Sequence, residues 1–186
     1  MMTITAKALA GFAAVLAGTG LAAATPDVPA GGPSAPAPTL VHVFSVRATL
    51  APPLEVGEAD GGRRRFIAIT GGTVDGPRLR GTVLAGGGDW QTIVPGGLTR
   101  VEARYFLKAD DGTVIEVFNP GVRTADPAVI ERLAKGEVVD PSLYYFRTTP
   151  AFKVKDGPHA WLQRAVFVAR GIRNPDSVVI DYYMVE

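Results

Sequence analysis

From Leu40 onward, apolar and polar residues alternate in short runs, the period of two imposed on a strand with one buried face. Such runs cover 40–50, 64–70, 79–85, 90–94, 100–109, 113–119, 143–149, 161–170 and 177–185, with Gly, Pro, Asn and Asp between them at turn spacing, so nine strands are predicted. The clearest hairpin is RVEARYFLKADDGTVIEVFN, where Asp111-Gly112 offers two positive-φ positions for a two-residue turn. That register pairs Lys108 with Ile115, Phe106 with Val117 and Arg104 with Asn119. Glu102, Arg104, Phe106, Val117 and Asn119 then share one face; Val101, Ala103, Tyr105, Leu107, Val114 and Phe118 take the other. One helix is signalled: Asp126 caps it, Pro127 takes its first position, Val129, Ile130, Leu133 and Ala134 form an apolar stripe, and Gly136 ends it. An open sheet of this size would leave edges that template aggregation. The expected fold is therefore all-β, a closed antiparallel β-barrel of nine or ten strands with the helix capping an end or packing on the wall.

The N-terminal pattern differs. Lys7 precedes an uncharged, Ala-rich run from Ala8 to Ala24, with small residues before Thr25-Pro26, as a secretory signal peptide (1–24) cut after Ala24 requires. The expected location is the periplasm or the medium, with no membrane attachment after cleavage. Residues 25–39, rich in Pro, Ala and Gly, lack the apolar bulk to offset ordering entropy and read as a disordered linker. A single barrel domain then spans 40–186.

Composition narrows the chemistry. The absence of cysteine removes disulfides, thiol nucleophiles, iron–sulfur and Cys-based zinc sites, and a lipoprotein anchor. Nineteen basic against 18 acidic residues leave no field that would attract nucleic acid. His42 and His159 lie far apart without further ligands at metal spacing, so neither a metal nor a cofactor is expected. No G-x-S-x-G elbow surrounds Ser45, Ser142 or Ser177, and TGGTVDG and AGGGD lack the Lys and helix of a phosphate loop, so those glycines are assigned to turns. Within Arg63-Arg64-Arg65, alternation sends Arg65 to the face of Ile67 and Ile69, either as an inward arginine or as part of a solvated strand end.

The Glu102, Arg104 and Asn119 face of the hairpin has two readings. It is an outward face with a surface ion pair, or a cavity wall where carboxylate and guanidinium hold a polar ligand or move a proton. If that pair is buried, Arg104→Met should cost more than about 2 kcal/mol.

TGGTVDGPRLRGTVLAGGGDWQ (70–91), VEARYFLKADDGTVI (101–115), GVR (121–123), DPSLYYFRTTPAF (140–152) and AWLQRAVFVARGIR (160–173) together resemble domain-of-unknown-function family 3237, also called uncharacterised protein family 0311. The resemblance runs from about Leu40 to the C-terminus. It implies a closed antiparallel barrel with an interior pocket near one end and no agreed reaction, metal or cofactor. Gln163 and Ala169 stand where relatives often carry Asn and Gly, both after Trp161 in its expected strand. The resemblance directs attention to Asp89, Trp90, Arg104, Tyr105, Arg123, Tyr145, Arg147 and Trp161.

Two functions follow as expectations. One is an exported barrel that binds a small oxygenated organic molecule, aromatic or polyketide-like, through Trp90, Asn119, Arg123, Arg147 and Trp161, because arginines beside aromatics suit carboxylate or phenolate recognition. The other is a cofactor-free cyclase, isomerase or lyase that draws on Asp89, Glu102, Arg104 and Tyr145 for proton transfer and oxyanion stabilisation. Apolar residues on both faces of the 101–119 hairpin also admit a homodimer.

Overall fold

The computed structural model describes residues 35–186; the expected signal peptide and all but the end of the linker lie outside the described residues. The strands are β1 (Leu40–Leu50), β2 (Leu54–Ala59), β3 (Gly62–Asp75), β4 (Gly81–Val83), β5 (Gly87–Val94), β6 (Leu98–Ala109), β7 (Val114–Thr124), β8 (Tyr145–Thr148), β9 (Ala151–Val154), β10 (Phe167–Arg173) and β11 (Ser177–Val185). Helix α1 (Pro127–Ala134) connects β7 to β8. Pairing runs β6-β5-β3-β1-β11-β10-β8-β7 and returns from β7 to β6, so eight antiparallel strands close a ring. Three strands lie outside it: β2 extends the start of β3, β4 bridges the ends of β3 and β6, and β9 adds to β7 beyond β8.

The sequence-based count of nine or ten strands thus becomes eight in the barrel and three outside. Every residue of β2 is exposed, so it has no alternating burial to betray it, and four-residue β9 is too short for a period to register. The expected strand 161–170 begins only at Phe167, because Ala160–Gln163 forms a 3₁₀ turn. Helix α1 stands where its caps marked it: the Asp126 carboxylate accepts from the Ala128 N–H at 2.9 Å, and Ile130 and Leu133 are buried.

The hairpin departs from its expected register by one residue. Ala109 and Thr113 close a three-residue loop in which the Gly112 N–H donates to the Ala109 carbonyl at 2.8 Å and Gly112 takes φ +85°, a type I turn followed by a left-handed residue. Leu107 then opposes Ile115, Tyr105 opposes Val117 and Ala103 opposes Asn119. Asn119 therefore joins the buried face of Val101 and Tyr105, while Glu102, Arg104 and Phe106 point out of the barrel.

The glycines before Asp89 also have a structural role beyond turns. A Cβ on Gly87 would fall 2.4 Å from the Arg104 carbonyl oxygen, and one on Gly88 would strike the Phe66 ring, so this run lets β5 lie tightly between β3 and β6.

One half of the barrel interior is filled by aromatics. Phe44 stacks on Tyr182 with centroids 4.7 Å apart, and Phe152 packs against both and against Phe167. The other half, where β1 and β10 end and β11 begins, carries polar side chains on its inner wall.

Candidate functional site

Strand parity assembles the polar half. Asp89 and Gln91 alternate inward on β5 around outward Trp90; Tyr105 points in from β6, Asn119 and Arg123 from β7, Arg65 from β3 and Arg173 from the end of β10. Asp89, Gln91, Tyr105, Asn119, Arg123 and Arg173 line a partly enclosed cavity whose apolar walls include Ile69 and Phe146. About 40 Å³ of it is open to the centre of a water-sized group. At roughly 10–15 Å³ for each such group, that is room for the oxygen-bearing end of a molecule rather than for a whole polycyclic one.

A directed hydrogen-bond chain crosses the wall. Arg65 donates to Gln91 Oε1 from Nε at 3.0 Å and from a terminal nitrogen at 2.8 Å, and its other terminal nitrogen donates to the Ala134 carbonyl of α1 at 3.0 Å. Gln91 Nε2 in turn donates to Asp89, whose second oxygen accepts from the Glu102 backbone N–H at 3.1 Å. Arg173 is occupied by the Ser177 and Pro175 carbonyls at 2.9 and 3.2 Å. At the floor, the hydroxyls of Tyr105 and Tyr182 are bonded to each other.

Arg123 is the exception. It is 0% exposed, and among the described residues none of its three guanidinium nitrogens has a hydrogen-bond partner; the Phe146 ring lies under it at 5.6 Å. Asn119 Oδ1 and the Thr148 hydroxyl are likewise buried without partners. Burial lowers the Arg123 pKa to about 10, helped by repulsion from Arg65 and opposed by Asp89, which still leaves it cationic at neutral pH. Burial raises the Asp89 carboxyl, against the pull of the Gln91 hydrogen bond, of Arg123 and of the Glu102 N–H. Asp89 is surrounded by protein yet keeps accessible surface, because that surface faces the cavity.

Of the residues singled out from the sequence, the cavity unites Asp89, Asn119 and Arg123 with Tyr105, to which the family resemblance directed attention. Glu102 and Arg104 form an outward pair at 3.2 Å with side chains 48% and 61% exposed. A pair that open contributes under about 1 kcal/mol, so the large penalty expected for Arg104→Met belongs to a geometry the chain does not adopt. Both residues, with Trp90 and Arg64, border an open groove on the outer wall, where Trp90 leans on Phe66 at 4.9 Å. Tyr145 and Arg147 also face out, the guanidinium 5.0 Å from the ring centroid. Trp161 lies in the 3₁₀ turn toward the opposite end, with the Arg78 guanidinium 3.9 Å over its ring. Gln163, in the same turn, is exposed and donates to the Val154 carbonyl at 2.7 Å; Ala169 is buried, and neither lines the cavity. Four residues of the site or its supports were not proposed from sequence as site residues: Arg65, Gln91, Arg173 and Tyr182. Only Arg65 had a signal, its shared face with Ile67 and Ile69. Among the described residues no cluster of His, Asp or Glu could hold a metal ion.

A closed antiparallel barrel with one polar, arginine-rich interior end defines the class of protein. Residues 38–185 match the family described as Protein of unknown function (DUF3237), and the chain belongs to it. It is 39% identical over 145 residues to a UPF0311 protein of Clostridium acetobutylicum, a match covering 77% of this chain and 92% of that one. The solved structure of a conserved protein of unknown function from Rhodopseudomonas palustris is similar with a TM-score of 0.77 at 38% identity, covering 82% of this chain and all of that one. A β-barrel-like protein of Acinetobacter baumannii is similar with a TM-score of 0.73 at 35% identity, over 83% of this chain and all of that one. More distant is a Penicillium herquei protein named as a hydroalkoxylation enzyme, 32% identical over 80 residues, 43% of this chain and 53% of its own length. A solved enzyme structure from that fungus shares the fold, with a TM-score of 0.61 at 22% identity over 82% of this chain and 98% of that one.

Proposed function

We propose that the cavity binds the oxygenated end of a small organic molecule, and that Arg123 is its principal anchor. The supporting observation is the fully buried guanidinium with no protein partner on a cavity wall. A buried cation without hydrogen bonds is costly, and an oxygen carrying partial or full negative charge would satisfy it bidentately. Phe146, Ile69 and Tyr105 supply the apolar and aromatic surface for the carbon skeleton next to that oxygen. Native mass spectrometry and titration with 4-nitrophenol and with acetylacetone, a phenol and an enolisable diketone, test this reading. Arg123→Met should lose at least tenfold in affinity for whichever probe binds. Equal affinity in the variant would overturn it.

A second reading has its own support in Asp89, whose burial raises its pKa toward the range useful for proton transfer. Addition of a hydroxyl across a carbon–carbon double bond, the chemistry in the fungal relative's name, forms a C–O bond as the π bond breaks, moves one proton from oxygen to carbon and needs no oxidant or reductant. Asp89 could cycle between base and acid while Arg123 holds the developing oxyanion. Cyclisation of a hydroxylated enone that ceases in Asp89→Asn, with probe binding retained, would favour the enzyme over the carrier.

The N-terminal pattern supports export with cleavage after Ala24. A mature N-terminus at Thr25 in native cells is the expected result, and a retained Met1 would refute it.

A further inference from the structure

We infer that the cavity takes its ligand as an oxyanion, the conjugate base of a weakly acidic phenol or enol, with Tyr105 donating a hydrogen bond to it under the direction of Tyr182 and Asn119. The inference rests on the binding reading above and names the ligand class and a second contact.

Hydrogen accounting fixes the direction. Tyr182 is 0% exposed, is packed by Phe44 and Phe152, and is not on the cavity wall. Asn119 Nδ2 donates to its oxygen at 3.5 Å, and among the described residues Asn119 Oδ1 accepts nothing and the Tyr105 oxygen is the one acceptor bonded to the Tyr182 hydroxyl. With Tyr182 as donor, the Tyr105 hydrogen has no protein acceptor left, and Tyr105 is the member of the pair that borders the cavity. The reverse polarity would bury the Tyr182 hydrogen unpaired among aromatic rings. Tyr182 and Asn119 are positioning residues, and Tyr105 is the contact.

Charge accounting fixes the ligand's ionisation. The titratable groups that line the cavity are Asp89 on β5, Tyr105 on β6, Arg123 on β7 and Arg173 on β10, and behind them stand Arg65 on β3, Tyr144 ahead of β8 and Tyr182 on β11. On the cavity wall itself two guanidiniums, Arg123 and Arg173, face one carboxylate, Asp89. Glu55 and Asp176 act on Arg65 and Arg173 without lining the cavity. Tyr105 and Tyr182 are held neutral by burial, so they are hydrogen-bond donors and not anions. Two donor groups and a positive excess in a partly enclosed space favour a ligand's deprotonated form over its neutral form.

The test uses 4-nitrophenol, whose phenolate absorbs where the protein does not. With the probe saturated by wild-type protein, its apparent pKa should fall by about one unit or more, a tenfold preference for the anion. Tyr105→Phe, nearly isosteric, should recover at least half of that shift while the neutral probe still binds, and Tyr182→Phe should do the same more weakly, because it disturbs only the direction of the donor. An unshifted or raised pKa, or a shift unchanged in Tyr105→Phe, overturns the inference and leaves the binding site standing. Failure of wild type to bind 4-nitrophenol in either form overturns the inference, and failure to bind acetylacetone as well, or equal binding by Arg123→Met, overturns both.

Discussion

Arg123 and Asp89 hold opposite charges within one cavity, and each carries a cost that the fold sustains. For Arg123 the cost is desolvation without compensating hydrogen bonds, offset in part by the Phe146 ring and by attraction to Asp89. Arg123→Met keeps the length of the side chain and removes the charge, so it should raise thermal and urea midpoints, by on the order of 1 kcal/mol or more, in the same variant that loses ligand. A destabilised Arg123→Met would mean that the guanidinium is satisfied in solution and the site needs another explanation. For Asp89 the sign is fixed by its raised pKa. The unfolded carboxyl titrates near 3.9, so between that value and the folded one the folded chain holds the extra proton. The Asp89 contribution to stability is therefore full below about pH 4 and is lost as pH rises through the folded pKa. The urea midpoint of wild type minus that of Asp89→Asn should decline over that interval, and a difference that is flat or rises with pH would show that Asp89 is not desolvated. Of these two residues neither was marked by local pattern alone; both entered through segments that carry the family resemblance, 70–91 and 121–123. Gln91, Arg173 and Tyr182 were missed because their meeting depends on which strands lie opposite across the barrel, and no local period encodes that.

At the scale of elements, caps and turns decided what could be read. Helix α1 was legible because Asp126, Pro127 and Gly136 each act locally. The β6–β7 hairpin was legible as a hairpin but not in register: Asp111-Gly112 fits a two-residue turn, yet Asp110 and Asp111 occupy a type I turn and Gly112 alone is left-handed. The apolar residues support the observed choice, since it buries Leu107, Ile115 and Val117 together, whereas the shorter loop would set Lys108 against Ile115. One residue of loop length thus moved Asn119 from the face of Glu102 and Arg104 to the cavity-lining face of Tyr105. Gly112 has open space around its Cβ position, so a substitution there meets only backbone strain. Gly112→Ala should cost about 1–2 kcal/mol in a denaturant titration and leave the register, and hence ligand affinity, unchanged. A cost near zero would mean that the loop readily adopts another turn, and that the register is held by side-chain packing alone.

For the whole molecule, the issue is where a closed ring admits anything to a cavity this small. The ring is unevenly joined: β6 pairs with β7 over eleven positions and β10 with β11 over seven, but β8 joins β7 over four and β10 over only two, Ala169 with Thr148 and Arg170 with Arg147. Few ladder bonds mean a low free energy of local opening, and β8 is also the strand whose Phe146 and Thr148 side chains border the cavity. The opposite wall, where β1 pairs along most of its length with β11 and over its second half with β3, and where the aromatic stack of Phe44 and Tyr182 packs behind it, has no comparable seam. Closure of the barrel was foreseeable from the strand count and the need to hide edges; this asymmetry was not, because β8 reads in the sequence as one more alternating run, and only its partners expose how little of it is paired. Native-state hydrogen exchange should therefore show the amides of β8 exchanging well before those of β1, β6 and β11, in a local opening that urea hardly accelerates. If the seam is the route by which a ligand skeleton larger than the cavity is accommodated, saturating 4-nitrophenol should slow exchange in β8 more than elsewhere in the ring, and Arg123→Met should abolish that selective protection. Uniform protection around the ring, with or without the probe, would instead mean a rigid barrel that admits only the few atoms its cavity already holds.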